Sequence, residues 1–182
     1  AYSPESMMNI RRIFRMTGAV LSHLPKNVSI TPILSPEVRG EWVCAPEAVK
    51  SKQVALYLHG GGYFFGAAAM HRQITWRASR ALARPVLAID YRLAPKHTFE
   101  AWRDDAVQAY EYLLSRGYAG EDIIVGGDSA GGHLTEMRQL SEFYAKIPHF
   151  FVTFERTDTE SLAQTEQVFF IPRPARNPIQ TV

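Results

Sequence analysis

Apolar residues in this chain gather into short closed runs, and between the runs they recur at helical spacing. Val54 to Leu58 reads Val-Ala-Leu-Tyr-Leu and stops at glycines, Pro85 to Asp90 reads Pro-Val-Leu-Ala-Ile-Asp, and Asp122 to Val125 runs into Gly126 and Gly127. A short apolar run bounded by turn formers is the pattern of a strand covered on both faces, where neither parity of position has to be polar. Met70 to Arg84 and Ala101 to Arg116 instead show the periodicity of helices, the second closed by Gly117. Strands alternating with helices predict parallel pairing through right-handed crossovers. Upstream, Val28 to Val43 is broken by Pro32, Pro36 and Gly40 into extended pieces, which predicts an edge hairpin. Met7 to Leu24 predicts a covering helix that carries Arg11, Arg12 and Arg15. Downstream the alternation continues, with a helix over 131–146, a strand over 149–154, a helix over 158–167 and a strand over 168–171. Pro172, Pro174 and Pro178 then end regular structure. The expected fold is α/β, a three-layer open and mostly parallel sheet with helices on both faces.

Length and composition narrow the function. The chain has 182 residues, 46% of them hydrophobic, enough for one domain with a core. Twenty Lys and Arg against 18 acids leave a net charge of +2, which gives no electrostatic reason to expect nucleic acid or an anionic membrane. A small molecule is the expected partner. No apolar run approaches the roughly 20 residues needed to cross a bilayer, so no transmembrane segment is expected. The arginine-bearing amino-terminal stretch lacks a small-residue cleavage site after a proper apolar run, so it does not read as a signal peptide. A cytoplasmic protein is the expectation. The single Cys44 reads as a small half-buried hydrophobe. With no Cys/His cluster at zinc spacing, neither a metal nor another cofactor is expected.

Two glycine-rich segments carry the candidate chemistry. Gly127-Asp128-Ser129-Ala130-Gly131 matches G-x-S-x-G and sits where a buried strand turns into a helix. Its glycines permit a tight turn that lifts a serine hydroxyl above the sheet, with the Ala130 amide and a helix dipole facing a developing oxyanion. The alternative is a strand-to-helix turn that holds a phosphate or only packs closely. His59-Gly60-Gly61-Gly62 follows the strand ending at Leu58. Three glycines expose consecutive amides suited to the negative oxygen of a tetrahedral intermediate. Tyr63, Phe64 and Phe65 beside them suit either an acyl pocket or the core. Asp104 and Asp105 read as a solvated pair or as one structural contact to Arg92, and His71 and His97 as ordinary surface or loop histidines.

Residues 28–133 resemble the hormone-sensitive-lipase-like branch of the α/β-hydrolases, the bacterial carboxylesterases. The matching text is His59-Gly60-Gly61-Gly62-Tyr63, Asp90-Tyr91-Arg92-Leu93-Ala94-Pro95, Asp104-Asp105-Ala106 and Gly127-Asp128-Ser129-Ala130-Gly131-Gly132. The resemblance implies Ser129 as nucleophile, the amides of Gly61, Gly62 and Ala130 as oxyanion hole, and His59, Gly60 and Asp128 as support for the loop. It implies a serine carboxylic-ester hydrolase acting on a small ester or lactone. His97-Thr98-Phe99-Glu100 departs from the family, which usually has prolines around the phenylalanine.

The larger departure lies downstream. The family supplies an acid and then a histidine on later loops. After Ser129 this chain offers His133, on the helix the serine opens, and His149, at the amino end of a strand. Asp158 is the only aspartate there, and it follows His149. The order Ser, Asp, His is absent, and a serine without a base is a poor nucleophile at neutral pH. Negligible turnover by residues 1–182 is the expectation. The tail has its own resemblance: Ser129 to Glu136, Phe150-Phe151-Val152-Thr153, Asp158 to Leu162 and Arg176-Asn177-Pro178 are similar to the amino-terminal part of polysaccharide-biosynthesis glycosyltransferase subunits. Together these imply two regions, 1–133 as the amino-terminal half of an α/β-hydrolase and 134–182 as a Rossmann-like continuation. The joined chain would be a chimera, in the alternative a non-enzymatic one or a glycosyltransferase-subunit-like binding fragment.

Overall fold

A computed structural model describes residues 24–128, together with Asn9, 151–153 and 168–170. The helices expected over 131–146 and 158–167 lie outside the described residues, as does the covering helix apart from Asn9. The chain divides into two compact units, residues 1–148 and 149–182.

In the first unit five strands, β1 (Ser29–Pro32), β2 (Gly40–Cys44), β3 (Val54–Leu58), β4 (Val86–Ile89) and β5 (Ile123–Gly127), form one sheet in the order β1-β2-β4-β3-β5. Helix α1 (Arg72–Leu82) connects β3 to β4, and α2 (Phe99–Ser115) connects β4 to β5. The predicted hairpin is β1 and β2, paired antiparallel. The strands that alternate with helices, β4, β3 and β5, pair in parallel. The sheet is mixed because β2 continues the hairpin's direction and meets β4 antiparallel. In the second unit β6 (Phe151–Thr153) and β7 (Val168–Phe170), where strands were expected, form a two-stranded parallel sheet.

The three layers follow from residue parity. Along β3 and β4, Val54, Leu56, Leu58, Leu87 and Ile89 point to one face and pack with Trp102, Ala106, Ala109, Tyr110 and Leu113 of α2. Ala55, Tyr57, Val86 and Ala88 point to the other, where Val43 and Ala68 complete the cluster and Trp76 and Ala78 of α1 pack against it. All nine strand positions are buried, as a doubly covered strand requires. Helix α1 is fastened at both ends. Glu41, buried on β2, accepts from Arg72 Nε at 2.8 Å and Nη2 at 2.7 Å, a bidentate geometry that fixes the helix's first turn. Near the other end the buried Ser79 hydroxyl accepts the Ala45 amide at 3.0 Å.

Register then builds one edge. Leu58 stands opposite both Ile89 and Gly127, so the residues that follow, His59, Asp90 and Asp128, leave the sheet side by side at the carboxyl ends of three parallel strands. Leu87, fully buried at the centre of this arrangement, is expected to cost about 2–5 kcal/mol when changed to alanine. Leu114→Ala, at a position 43% exposed on α2, is expected to cost under about 0.5 kcal/mol. Urea unfolding of both variants checks the contrast.

Candidate active site

The glycine loop after β3 is shaped by what stands next to it. A Cβ on Gly60 would lie 2.3 Å from Asp128 Oδ2, and one on Gly61, whose φ is +123°, would lie 2.2 Å from the Phe65 carbonyl oxygen. Side chains are therefore excluded from the first by the approach of Asp128, and from the second by both space and dihedral. The amides of Phe64 and Phe65 both donate to the Gly61 carbonyl, at 3.1 and 2.9 Å, closing the loop on itself. Tyr63 follows with φ +60° and lays its ring on Trp102, centroids 4.4 Å apart and planes within 6°. Of the two roles the sequence left open for the aromatics, Tyr63 takes the core one. Phe65 lines a cavity instead.

Asp128 connects this loop to the segment after β5. Its Oδ1 accepts the Gly60 amide at 2.7 Å and the Tyr57 hydroxyl at 2.5 Å. Its Oδ2 faces His71 Nε2 at 3.6 Å, an ion pair. Burial works against the carboxylate, but His71, Tyr57 and the Gly60 amide more than offset it and bring the pKa down to about 2. Burial, reinforced by the same carboxylate, pushes the Tyr57 phenol far up, so Tyr57 stays a neutral donor. The sequence reading of His71 as a surface or loop histidine is corrected here: its side chain is 15% exposed and paired. The interaction is invisible locally, because Tyr57 sits inside an apolar run and Asp128 lies 71 residues away from it. His97 is half-buried and lines the cavity.

His59 is 1% exposed. Its Nδ1 donates to the Gly60 carbonyl at 2.8 Å, and its ring stacks with those of Tyr91, at 4.3 Å, and His71, at 5.3 Å. Tyr91 in turn donates its hydroxyl to the His59 carbonyl. Burial holds the His59 pKa below its ordinary value despite the bond to Gly60, and the neighbouring His71 opposes a second positive charge. Its Nε2 is buried with no hydrogen-bond partner among the described residues. Asp90 accepts the Ala68 amide at 2.7 Å, which anchors the far end of the loop. Arg92 holds Asp105 through its backbone amide at 2.7 Å and its guanidinium, also at 2.7 Å. Asp104 pairs with Arg103 instead, so the adjacent carboxylates do not work as a pair.

A cavity of about 1060 Å³ opens beside the loop, its wall including Val38, His59, Gly66, Asp90 and Tyr91 but not Gly61 or Gly62. Ser129 and Ala130 lie outside the described residues, as do His133, His149 and Asp158. No helix among the described residues is long and apolar enough to cross a membrane.

This sheet, with its loops at one carboxyl edge, defines an α/β-hydrolase-fold protein. Residues 55–142 match a family model described as α/β hydrolase fold. Within that class the chain is similar to esterases and lipases. It is 41% identical over 107 residues to the carboxylesterase/phospholipase LipF of Mycobacterium tuberculosis, a match covering 57% of this chain and 29% of the relative. It is 31% identical over 113 residues to the hormone-sensitive lipase of Homo sapiens, covering 59% of this chain and 10% of that protein. Among solved structures, an esterase from the bacterial hormone-sensitive lipase family superposes with a TM-score of 0.69 at 35% identity, over 85% of this chain and 52% of that one. The chain thus spans under a third of these curated relatives and about half of the solved structure.

Two outcomes are expected. Gly62 has φ +61° and open space around a built Cβ, so Gly62→Ala should cost only about 1–2 kcal/mol of backbone strain. Gly61→Ala, which also meets the Phe65 carbonyl, should cost clearly more in the same denaturation experiment. The pH dependence has a definite sign. His59 holds its proton less well folded than unfolded, so its contribution is whole above about pH 6.5 and is lost as pH falls through the lowered folded value. Asp128, near 2 against an ordinary 3.8, contributes above about pH 4 and loses that contribution toward pH 2. Between pH 7 and 5 the His59 loss is opposed by His71, whose proton is held above its ordinary value, so the clear fall in thermal midpoint is expected below pH 4. Asp128→Asn, starting lower, should show a smaller drop there, because Glu37 and Glu100 also hold their protons less well in the fold.

Proposed function

We propose that this chain carries the amino-terminal half of a serine carboxylic-ester hydrolase, with Ser129 as nucleophile and the amides of Gly61, Gly62 and Ala130 as oxyanion donors. The substrate class is a small ester or lactone. The observation that carries this reading is the bond from the Gly60 amide to Asp128: the residue before Ser129 holds the start of the glycine loop. A serine on that elbow and amides on that loop are the two halves of an acyl-transfer site. Each oxyanion donor is worth roughly 2.7–4 kcal/mol in the transition state.

The proposal divides the chain into residues 1–133, which hold both loops, and 134–182, a continuation of which only residues 134–142 fall within the match to the hydrolase family model. Residues 134–182 contain no Asp followed by a His, so these residues do not supply the base that would activate the serine. Oxyanion donors alone leave a residual rate of about a thousandfold over water in triad deletions, far below a working esterase. A second reading takes the tail as a glycosyltransferase-subunit-like fragment fused at Ser129 to Leu134. In its favour, β6 and β7 pair in parallel within a unit of their own, as in the Rossmann-like half that the tail resembles.

Hydrolysis of p-nitrophenyl acetate and butyrate, with Ser129→Ala in parallel, tests the assignment. Equal rates near background in both proteins are expected of residues 1–182. Turnover that vanishes in Ser129→Ala would establish the nucleophile and overturn the absence of a base. Turnover unchanged in Ser129→Ala would overturn the site itself.

A further inference from the structure

His71 touches both ends of the glycine loop. Its Nδ1 lies 3.0 Å from the Ala67 carbonyl oxygen at the loop's far end. A carbonyl only accepts, so Nδ1 carries a hydrogen. Its Nε2 faces Asp128 Oδ2 at 3.6 Å, and the other oxygen of that carboxylate holds the Gly60 amide at the loop's near end. The Nδ1 bond suits either form of the ring, and the ion pair at Nε2, longer than a hydrogen bond, together with the raised pKa favours the imidazolium. We propose that His71 is a positioning residue of the ester-hydrolysis site, its imidazolium clasping the two ends of the glycine loop to the residue that precedes Ser129. The proposal deepens the reading above and rests on it for the loop's role.

The groups facing the ring agree with this charge. Asp128 follows β5 and Asp90 follows β4, and both carboxylates favour the imidazolium. From β3 comes the Tyr57 ring, at 6.3 Å, and from the residue after that strand His59, at 5.3 Å, both kept neutral by burial. Burial of His71 itself opposes the charge, and Asp128 with the Ala67 carbonyl outweighs it, so the proton is held above the ordinary value of 6.5. The clasp is therefore whole below about pH 6.5 and is lost as pH rises through the raised folded value. When it opens, Asp128 loses its counter-charge and is held by the Tyr57 hydroxyl alone, which loosens the acceptor of the Gly60 amide.

Amide hydrogen exchange of Gly60 across pH 6 to 9 reads the clasp, alongside the carbon signals of the His71 ring and the exchange of the β4 amides as a control for global opening. In the wild-type chain, protection of Gly60 corrected for intrinsic exchange is expected to fall at least tenfold over the interval in which His71 titrates, with β4 unchanged. His71→Gln, which has no titrating ring, is expected to show no step. Absence of the step in the wild type, or an equal step in His71→Gln, would overturn the proposal. If the variant does not fold, the match between the wild-type step and the His71 titration decides alone. Turnover plays no part in the readout, so a chain that hydrolyses no ester still decides the clasp. Ester hydrolysis without the Gly60 step would keep the esterase reading and overturn the clasp.

Discussion

A strand with no polar face needs a layer above it, a layer below it and a partner on each edge. The Val54–Leu58 strand meets all four demands at once, between β4 and β5 in the plane and between the packing of the two helices across it. Its backbone groups are satisfied by the neighbours, and its side chains divide by parity between two cores. Everything at the carboxyl edge depends on that placement. Because Leu58 is level with Ile89 and Gly127, three loops begin together, and short polar contacts suffice to bind them.

Those contacts converge on a single carboxylate. Asp128 meets a phenol, an amide and an imidazole drawn from β3, the loop behind it and the approach to α1. Partial burial makes each contact stronger than it would be in water, and it also makes a missing partner costly. Glycine at position 60 belongs to the same arrangement, since the carboxylate occupies the space a side chain would need. The glycine-rich text is thus a requirement for close approach as much as for unusual dihedrals.

Much of this was legible in the chain itself. Closed apolar runs located β3, β4 and β5, helical periodicity located α1 and α2, and prolines with Gly40 marked the hairpin. Each of these signals is local. The antiparallel meeting of β2 with β4 is not local, because pairing between distant strands leaves no trace in the periodicity of either one. His71 was missed for a related reason. A histidine acquires a role from what faces it, and here the partners come from Ala67 and from Asp128, the second far away in sequence. Tyr57 was read as one more apolar position, and its ring does lie in the core; its hydroxyl reaches the adjacent β5 side. The Arg92–Asp105 contact was legible as one of two options, and geometry chose between them.

The distance along the chain between Gly60 and Asp128, 68 positions, also sets an order of assembly. Contacts that span long loops form only after the intervening chain has been ordered, since the closure entropy has to be met first. Before β5 docks, the β2-β4-β3 sheet has all its own residues, yet the Gly60 amide and the Tyr57 hydroxyl have no carboxylate to meet. During synthesis the near end of the loop would therefore wait without its carboxylate until residue 128 arrived, while Asp90 already held the far end. The arrival of Asp128 is then the event that completes the fastening of the loop.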